Sequence, residues 1–377
     1  MPLTLLIPEL LWPEPEDRAT QDDLACPALE TLLARAGRGP ARSAATSYEA
    51  ALCDAAGLPE NAPYAALRRL GESGGPEGAN EASGANTAGD WLAVDPVHLR
   101  FLQERLVLAD PTQLELADDE AQALIAGFNR ELAAYGRFHL GAAGRWYLEP
   151  ADPALSGEHR APPLSAVAGR SVERLLPSLG EAQAQRRLQN AAQMLLHEHP
   201  VNRAREAAGR MTVNALWLWG GGPLPSDLTL PFDAILSDDP LARGLAHAAG
   251  VPARARPANA AALLSQRSQL AAEARTAHPL VVLDDLATAV QYESGEAYRA
   301  ALARLDAEWF APLLAALRDG TLRGELTLLA PTVYGRLEWR LARPASWAFW
   351  RRPKPLATWA RELAELAPPS HQSISAP

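Results

Sequence analysis

Apolar positions along this chain alternate between two rhythms. Leu3 to Ile7 is a short continuous apolar run closed by Pro8, which predicts a strand buried on both faces in a parallel sheet rather than a two-faced surface strand. Between Cys26 and Ala36 the residues Leu29, Leu32 and Leu33 recur at helical spacing, with Pro27 at an allowed first-turn position and Gly37 as a stop, so a helix follows that strand. Trp91 to Val94 and Arg105 to Leu108 read as strands, then a helix from about Ala117 to Tyr135 and a strand over Arg145 to Leu148. Beyond Glu181 the pattern is regular: a helix to about Leu196, an apolar strand from Val213 to Trp219, a strand at Ala234 to Leu236 and a helix from Leu241 to Ala249. Pro279 to Asp285 is a strand with acids at its carboxyl end. It precedes a long helix over roughly Gly295 to Leu317, a buried strand from Glu325 to Pro331 and a last helix near Ala357 to Leu366.

Alternation of apolar strands with helices predicts an α/β fold, a mostly parallel sheet with helices on both faces. A single core stops growing at roughly 250–300 residues, so a chain of 377 residues is expected to form two domains. The strand, strand, helix, strand unit is bounded by two segments of different composition. Residues 71–89 contain six glycines and no large apolar side chain, which reads as a flexible linker, and residues 149–163 are proline-rich. The expected division is therefore a discontinuous α/β core of residues 1–90 and 181–352, an inserted small α+β domain of residues 91–180, and a C-terminal helix and disordered tail in 353–377. No internal repeat emerges.

Composition narrows the function classes. Hydrophobic residues at 48% and charged residues at 21% are ordinary for a globular protein, and the formal charge of −10 argues against nucleic acid or an anionic membrane as partner. Lys354 is the single lysine among 35 basic residues, a bias that reflects base composition, so arginine counts alone mean little. Cys26 and Cys53 lack metal-ligand spacing and read as inert thiols. The N-terminal apolar run is short, interrupted by prolines and preceded by no basic cluster, unlike a signal peptide or a membrane span. A cytoplasmic location is expected.

Candidate chemistry is densest in His197, Glu198, His199, Pro200, Val201, Asn202, Arg203, Ala204 and Arg205, followed by Asn214 to Pro223 with Trp217, Trp219, Gly220, Gly221 and Gly222. Glycines at a strand end let backbone amides approach an anion. The same pattern also suits tryptophans packed on one strand face and a plain tight turn. His197 and His199, two apart, suit a metal pair or, equally, a helix cap. Arg203, Arg205 and Arg210 suit a phosphate or carboxylate, or a solvated helix face. Asp95 and His98 suit a structural Asp-Pro turn or a polar pair, and the Trp339, Trp347, Phe349 and Trp350 region beside Arg351 and Arg352 suits a protein partner or a covered sheet edge.

The segment NALWLWGGGPLP resembles the Asn, Trp, Gly-rich strand and turn of archaeal-type cofactor-independent phosphoglycerate mutases, and CPALETLLARA resembles their early Thr-Pro-x-Leu helix. With WLAVDPVHLR, RWYL and HEHPVNRAR, the pattern is similar to the bacterial RpfE-type group of regulatory proteins and phosphoglycerate-mutase homologues, over most of residues 1–352. The resemblance implies an alkaline-phosphatase-like sheet with a second domain inserted. For an active mutase it also implies two divalent metals, Mn or Zn, and a serine that accepts and returns a phosphoryl group.

The sequence departs from that pattern at the strand ends. The Asp expected after the first strand, usually followed by Gly, is replaced by Ile7-Pro8-Glu9. Ser47 is the nearest candidate nucleophile and equally a helix N-cap. Asp284 and Asp285 occupy the place of a metal-binding acid, while the expected downstream His and Gly-Asp pair are replaced around residues 291–296. The Asp-His pair expected after ELTLLAP is replaced by Thr332-Val333-Tyr334. Two readings stand. One is a degenerate, non-catalytic mutase-like protein without a cofactor that binds a small phosphorylated or carboxylated metabolite or a protein partner in regulation. The other is an active metal-dependent mutase or phosphatase with a rearranged site.

Overall fold

The computed structural model describes residues 2–37, 39–44, 46–59, 61–72, 89–102, 105–152, 155, 161–172, 183–273 and 278–366. The glycine-rich stretch expected as a linker falls at 73–88 outside the described residues, as does the tail expected from 367 onwards. In chain order the strands are β1 (Leu3–Leu6), β2 (Ala41–Ser43), β3 (Trp91–Leu102), β4 (Arg105–Ala109), β5 (Gly136–Ala142), β6 (Arg145–Pro150), β7 (Ala215–Gly222), β8 (Ala234–Leu236), β9 (Ala253–Arg254), β10 (Pro279–Val282), β11 (Leu326–Thr332) and β12 (Gly335–Leu341). No helix among the described residues is long and apolar enough to cross a membrane.

The chain forms two compact units, the first made of Met1–Ala51, Pro231–Ser237 and Arg254–Pro377, the second of Leu52–Leu230 and Asp238–Ala253. The first holds a seven-stranded sheet in the order β2-β12-β11-β1-β10-β8-β9. β1 is parallel to β10 and to β11, with Leu6 level with both Val282 and Leu329, and β10 is parallel to β8. The edge is antiparallel, since β12 returns beside β11 and β2 pairs with β12. All four residues of β1 are buried, as a strand flanked on both sides and covered on both faces requires. Full burial of a leucine such as Leu5 or Leu6 is worth about 1.5–3 kcal/mol against exposure, and the surrounding core includes Leu29, Leu33, Phe310 and Trp339.

The helix Pro27–Arg35 begins with Cys26, whose side chain caps nothing. Its open amides are met from far along the chain: Asp306 accepts from Leu29 N at 2.7 Å and from Ala28 N at 3.3 Å. Asp306 opens a π-helical turn, Asp306–Phe310, between the helices Gly295–Leu305 and Ala311–Asp319. The long helix expected over this region is thus interrupted by the widened turn that carries the capping carboxylate. Burial pushes the adjacent Cys26 thiol up to about 12 and the Asp306 charge adds to the effect, which leaves an inert thiol. Both cysteines are buried and unpaired.

The second unit holds a sheet in the order β4-β3-β6-β5, with β7 paired to β3. Here the structure corrects two expectations. β7, the apolar strand expected in the parallel sheet, runs antiparallel to β3, with Val97 opposite Ala215 and Asp95 opposite Trp217. Its eight residues are all buried, and that burial, not parallel pairing, produces the continuous apolar run. The helices Tyr64–Glu72 and Pro240–Ala248, on either side of the expected insertion, pack against each other in this unit. Two glycines permit the approach: a Cβ on Gly71 would lie 1.8 Å from Pro240 O, and one on Gly244 1.7 Å from Leu67 O. The compact unit is therefore wider than residues 91–180.

Candidate functional site

In open parallel sheets, chemistry gathers outside the carboxyl ends of the strands. In the first unit those ends carry Pro8 and Glu9 after β1, Asp284 and Asp285 after β10, and Thr332 at the end of β11. Their level is set by backbone bonds, Ile7 N to Leu329 O at 2.7 Å, Glu9 N to Pro331 O at 2.9 Å and Leu283 N to Leu6 O at 2.9 Å. Glu9 is buried and adopts a φ of 58°, a left-handed conformation that glycine takes without steric cost. Pro8 and Glu9 thus stand at the strand end where the resemblance implies an Asp-Gly pair. After β11, Thr332 donates to Gly335 O and accepts from Tyr334 N. These bonds close the turn into β12 where an Asp-His pair was the alternative.

Asp284 and Asp285 are the remaining acids, and both are taken up by cations. Arg256 bonds to both carboxylates, and Arg304 reaches Asp285 at 3.0 Å. Burial of the Asp285 carboxyl opposes its charge, but the hydrogen bonds and charges of Arg256 and then Arg304 outweigh it and hold the group below its ordinary range. This donor set does not fit a pair of divalent metals, which need on the order of six nitrogen or oxygen ligands and no competing cation. Among the described residues no group of three His, Cys, Asp or Glu side chains is arranged to hold a metal ion. Ser47 is buried, and its hydroxyl accepts from Ala50 N at 3.1 Å, the N-cap bond of the helix Tyr48–Ala55.

The other nominated residues belong to the second unit, where most of them serve the backbone. His197 is exposed at the end of the helix Gln183–Glu198, while His199 caps the helix Pro200–Ala207, its Nδ1 accepting from Val201 N. Burial, only partly offset by the Ala123 backbone, lowers the His199 pKa. Asn202 donates to Leu196 O and Val213 O and accepts from Val213 N, and Asn214 bridges the N–H and carbonyl of Leu99. Arg205 is fully buried and donates to Glu120, Met211 O and Leu114 O, so it faces no solvent-borne anion. Arg210 also bonds to Glu120, and Arg203 is exposed. Gly220, Gly221 and Gly222 lie buried within β7 rather than in an open turn. A Cβ on Gly220 would come 2.8 Å from Tyr64 Cβ, so this glycine admits a helix, not a phosphate.

The most concentrated polar chemistry in the second unit was not foreseen. Arg68 and Asp95, both buried, form a two-pronged ion pair at 2.7 and 2.8 Å. Asp95 also accepts from Trp219 Nε1 at 2.8 Å and Trp146 N at 3.1 Å. The Arg68 guanidinium lies 4.8 Å from the Tyr147 ring centroid and 4.9 Å from that of Trp219. Burial works against the Arg68 charge and Asp95 more than restores it. Beside this pair, Glu72 bonds Arg145 and the Tyr147 hydroxyl. Asp95 and His98, read as a structural Asp-Pro turn or a polar pair, do not pair with each other, and His98 donates from Nδ1 to Thr212 O. Asp95 lies in Trp91–Val97, a stretch of β3 that is buried throughout, and a lone acid in that otherwise apolar run was the one available signal. Arg68 lay in a helix that the sequence reading had not assigned.

No protein-family model matches the chain. Among curated proteins it is similar to the 2,3-bisphosphoglycerate-independent phosphoglycerate mutase of Methanosarcina mazei, 27% identical over 208 residues that cover 53% of this chain and 49% of that one. It is also similar to 2,3-bisphosphoglycerate-independent phosphoglycerate mutase 2 of Methanothermobacter thermautotrophicus, 36% identical over 124 residues, 33% of this chain and 30% of that one. The chain thus spans about half the length, or less, of the curated relatives it matches. Among solved structures, the cofactor-independent phosphoglycerate mutase of Thermoplasma acidophilum aligns over 97% of this chain and 99% of that one at 16% identity and a TM-score of 0.43. The chain is phosphoglycerate-mutase-like in sequence and mixed α/β in fold.

Proposed function

We propose that this chain is a phosphoglycerate-mutase-like protein of RpfE type that transfers no phosphoryl group and acts by binding, in a regulatory role. The observation that carries the proposal is the engagement of Asp284 and Asp285 by Arg256, and of Asp285 by Arg304: guanidinium groups already bond the carboxylates that a divalent ion would need. The Pro8 and Thr332 strand ends support the same reading. Of the two kinds of ligand raised by the sequence, a protein partner is favoured over a small anion, because Arg205 is buried and Gly220 to Gly222 are enclosed.

The test is turnover. Purified protein supplied with Mn²⁺ and 3-phosphoglycerate should form no 2-phosphoglycerate above the level of its Ser47→Ala variant, and metal analysis of the same sample should find far less than one ion per chain. Steady interconversion that Ser47→Ala abolishes would establish an active mutase and overturn the proposal.

A further inference from the structure

Trp347, Phe349 and Trp350 expose 58%, 80% and 70% of their surfaces, in and just after the 3-10 turn Arg343–Trp347 that follows β12. Trp339, grouped with them from the sequence, is instead buried and packs edge-on against Trp359. Exposed aromatic side chains clustered in this way mark interaction surfaces. Cations surround them. Arg351 and Arg352 are exposed, and the Arg318 guanidinium lies 5.9 Å from the Trp347 ring centroid.

Most of the arginines around the tip are held by backbone carbonyls. Arg351 donates to Arg35 O at 2.8 Å, Arg343 to Arg318 O at 3.4 Å, and Arg35 to Ser346 O. Among the described residues no carboxylate is bonded to Arg343, Arg351 or Arg352. Phe349 N to Trp347 O at 2.7 Å and Arg351 N to Ala348 O at 3.0 Å hold the backbone of the turn. The result is an exposed aromatic tip beside arginines of which Arg35, Arg343 and Arg351 are held by backbone carbonyls, on a chain of net charge −10.

We propose that this tip docks an acidic segment of another polypeptide, one in which carboxylates flank an apolar or aromatic side chain. Carboxylates answer guanidinium groups by two-pronged bonds, and positions fixed in advance by carbonyl contacts reward a partner of fixed spacing, whereas a fluid lipid surface needs none. The Phe349 and Trp350 rings stand at 80° to each other, which offers no parallel platform for stacked bases. This inference rests on the reading that the chain acts by binding, but its test is independent of turnover.

The full-length chain would be titrated into a fluorescein-labelled glutamate–tyrosine copolymer and followed by anisotropy, with polyglutamate, phosphatidylcholine–phosphatidylserine vesicles and oligo-dT run in parallel. Binding of the copolymer should exceed that of polyglutamate by about tenfold or more. It should weaken as salt rises from about 50 to 200 mM, and fall by about tenfold or more in both Arg351→Glu/Arg352→Glu and Phe349→Ser/Trp350→Ser, changes at exposed positions that leave the fold intact by circular dichroism. Equal binding of polyglutamate, indifference to the aromatic pair, no copolymer binding, or preference for vesicles or oligo-dT would each overturn the proposal. Turnover by a protein that binds the copolymer would refute the non-catalytic reading alone. Absence of both turnover and binding would refute the docking alone.

Discussion

Replacing Asp95 by alanine should be among the most damaging single changes in the second unit. The carboxylate is fully buried and accepts four hydrogen bonds, two from Arg68, one from Trp219 Nε1 and one from Trp146 N. Removing one member of a buried ion pair costs about 3–5 kcal/mol because the other charge is left uncompensated. Each donor orphaned in addition costs about 1–3 kcal/mol. The contributions are not additive, yet even about 4 kcal/mol is a large share of a total stability of about 5–15 kcal/mol. Urea unfolding followed by circular dichroism should show a clear drop in midpoint for Asp95→Ala and for Arg68→Met. The double variant Arg68→Met/Asp95→Ala removes both charges and leaves only the Trp219 and Trp146 donors unpaired, so its loss should fall well below the sum of the two single losses. A loss under about 1 kcal/mol for Asp95→Ala, or additive behaviour in the double variant, would refute a buried pair held by mutual compensation.

Three further outcomes follow from the geometry. Gly244→Ala places a Cβ 1.7 Å from the Leu67 carbonyl oxygen, and since neither backbone can yield locally it should destabilise by about 1–3 kcal/mol or more in the same urea assay; a neutral result would refute the close helix crossing. Burial, then Arg69 and Arg137, push His139 down to about 4 despite Glu149. Between about 6.5 and 4 the unfolded chain therefore binds more protons than the folded one, so stability should fall as pH drops through that window and change no further through this group below it. The melting temperature of His139→Gln should fall less steeply there than that of the parent, and parallel slopes would contradict the assignment. Asp306→Ala should cost about 1–2 kcal/mol by uncapping the helix Pro27–Arg35, with loss of amide protection at Ala28 and Leu29 in hydrogen exchange as the specific sign.

The sequence reported local structure well and long-range assembly poorly. β1, β10 and β11 were readable because a strand buried on both faces has no polar alternation to confuse it. The same logic misplaced β7, since burial under helices leaves the same apolar run whether its neighbours are parallel or antiparallel. β12 carries a clear alternation, with Gly335, Leu337, Trp339 and Leu341 buried and Arg336, Glu338 and Arg340 more open, yet it is absent from the expected strands, which rest on short continuous apolar runs. Arg205 was legible only as an anion ligand or part of a solvated helix face, and Arg68 not at all; both are buried against carboxylates far along the chain, Asp95 for Arg68 and Glu120 for Arg205. The strand-end departures at Pro8, Thr332 and Asp284-Asp285 were legible one residue at a time. The pairing of those acids by Arg256 and Arg304, 28 and 19 positions from their partners, was not.

The placement of β1 has a consequence for how the chain can be made. Leu3–Leu6 sits between β10 and β11, whose paired residues begin at Leu280 and Leu326. During synthesis the first strand therefore emerges long before either neighbour, and its apolar surface has nothing in its own sheet to pair with until most of the chain has left the ribosome. The strands β3 to β7 of the second unit are complete by Gly222 and can assemble while the first strand waits. Contacts closed over such separations form slowly, and an unpaired apolar strand invites association with other chains. The interval before β10 and β11 arrive is the one in which β1 is open to such association.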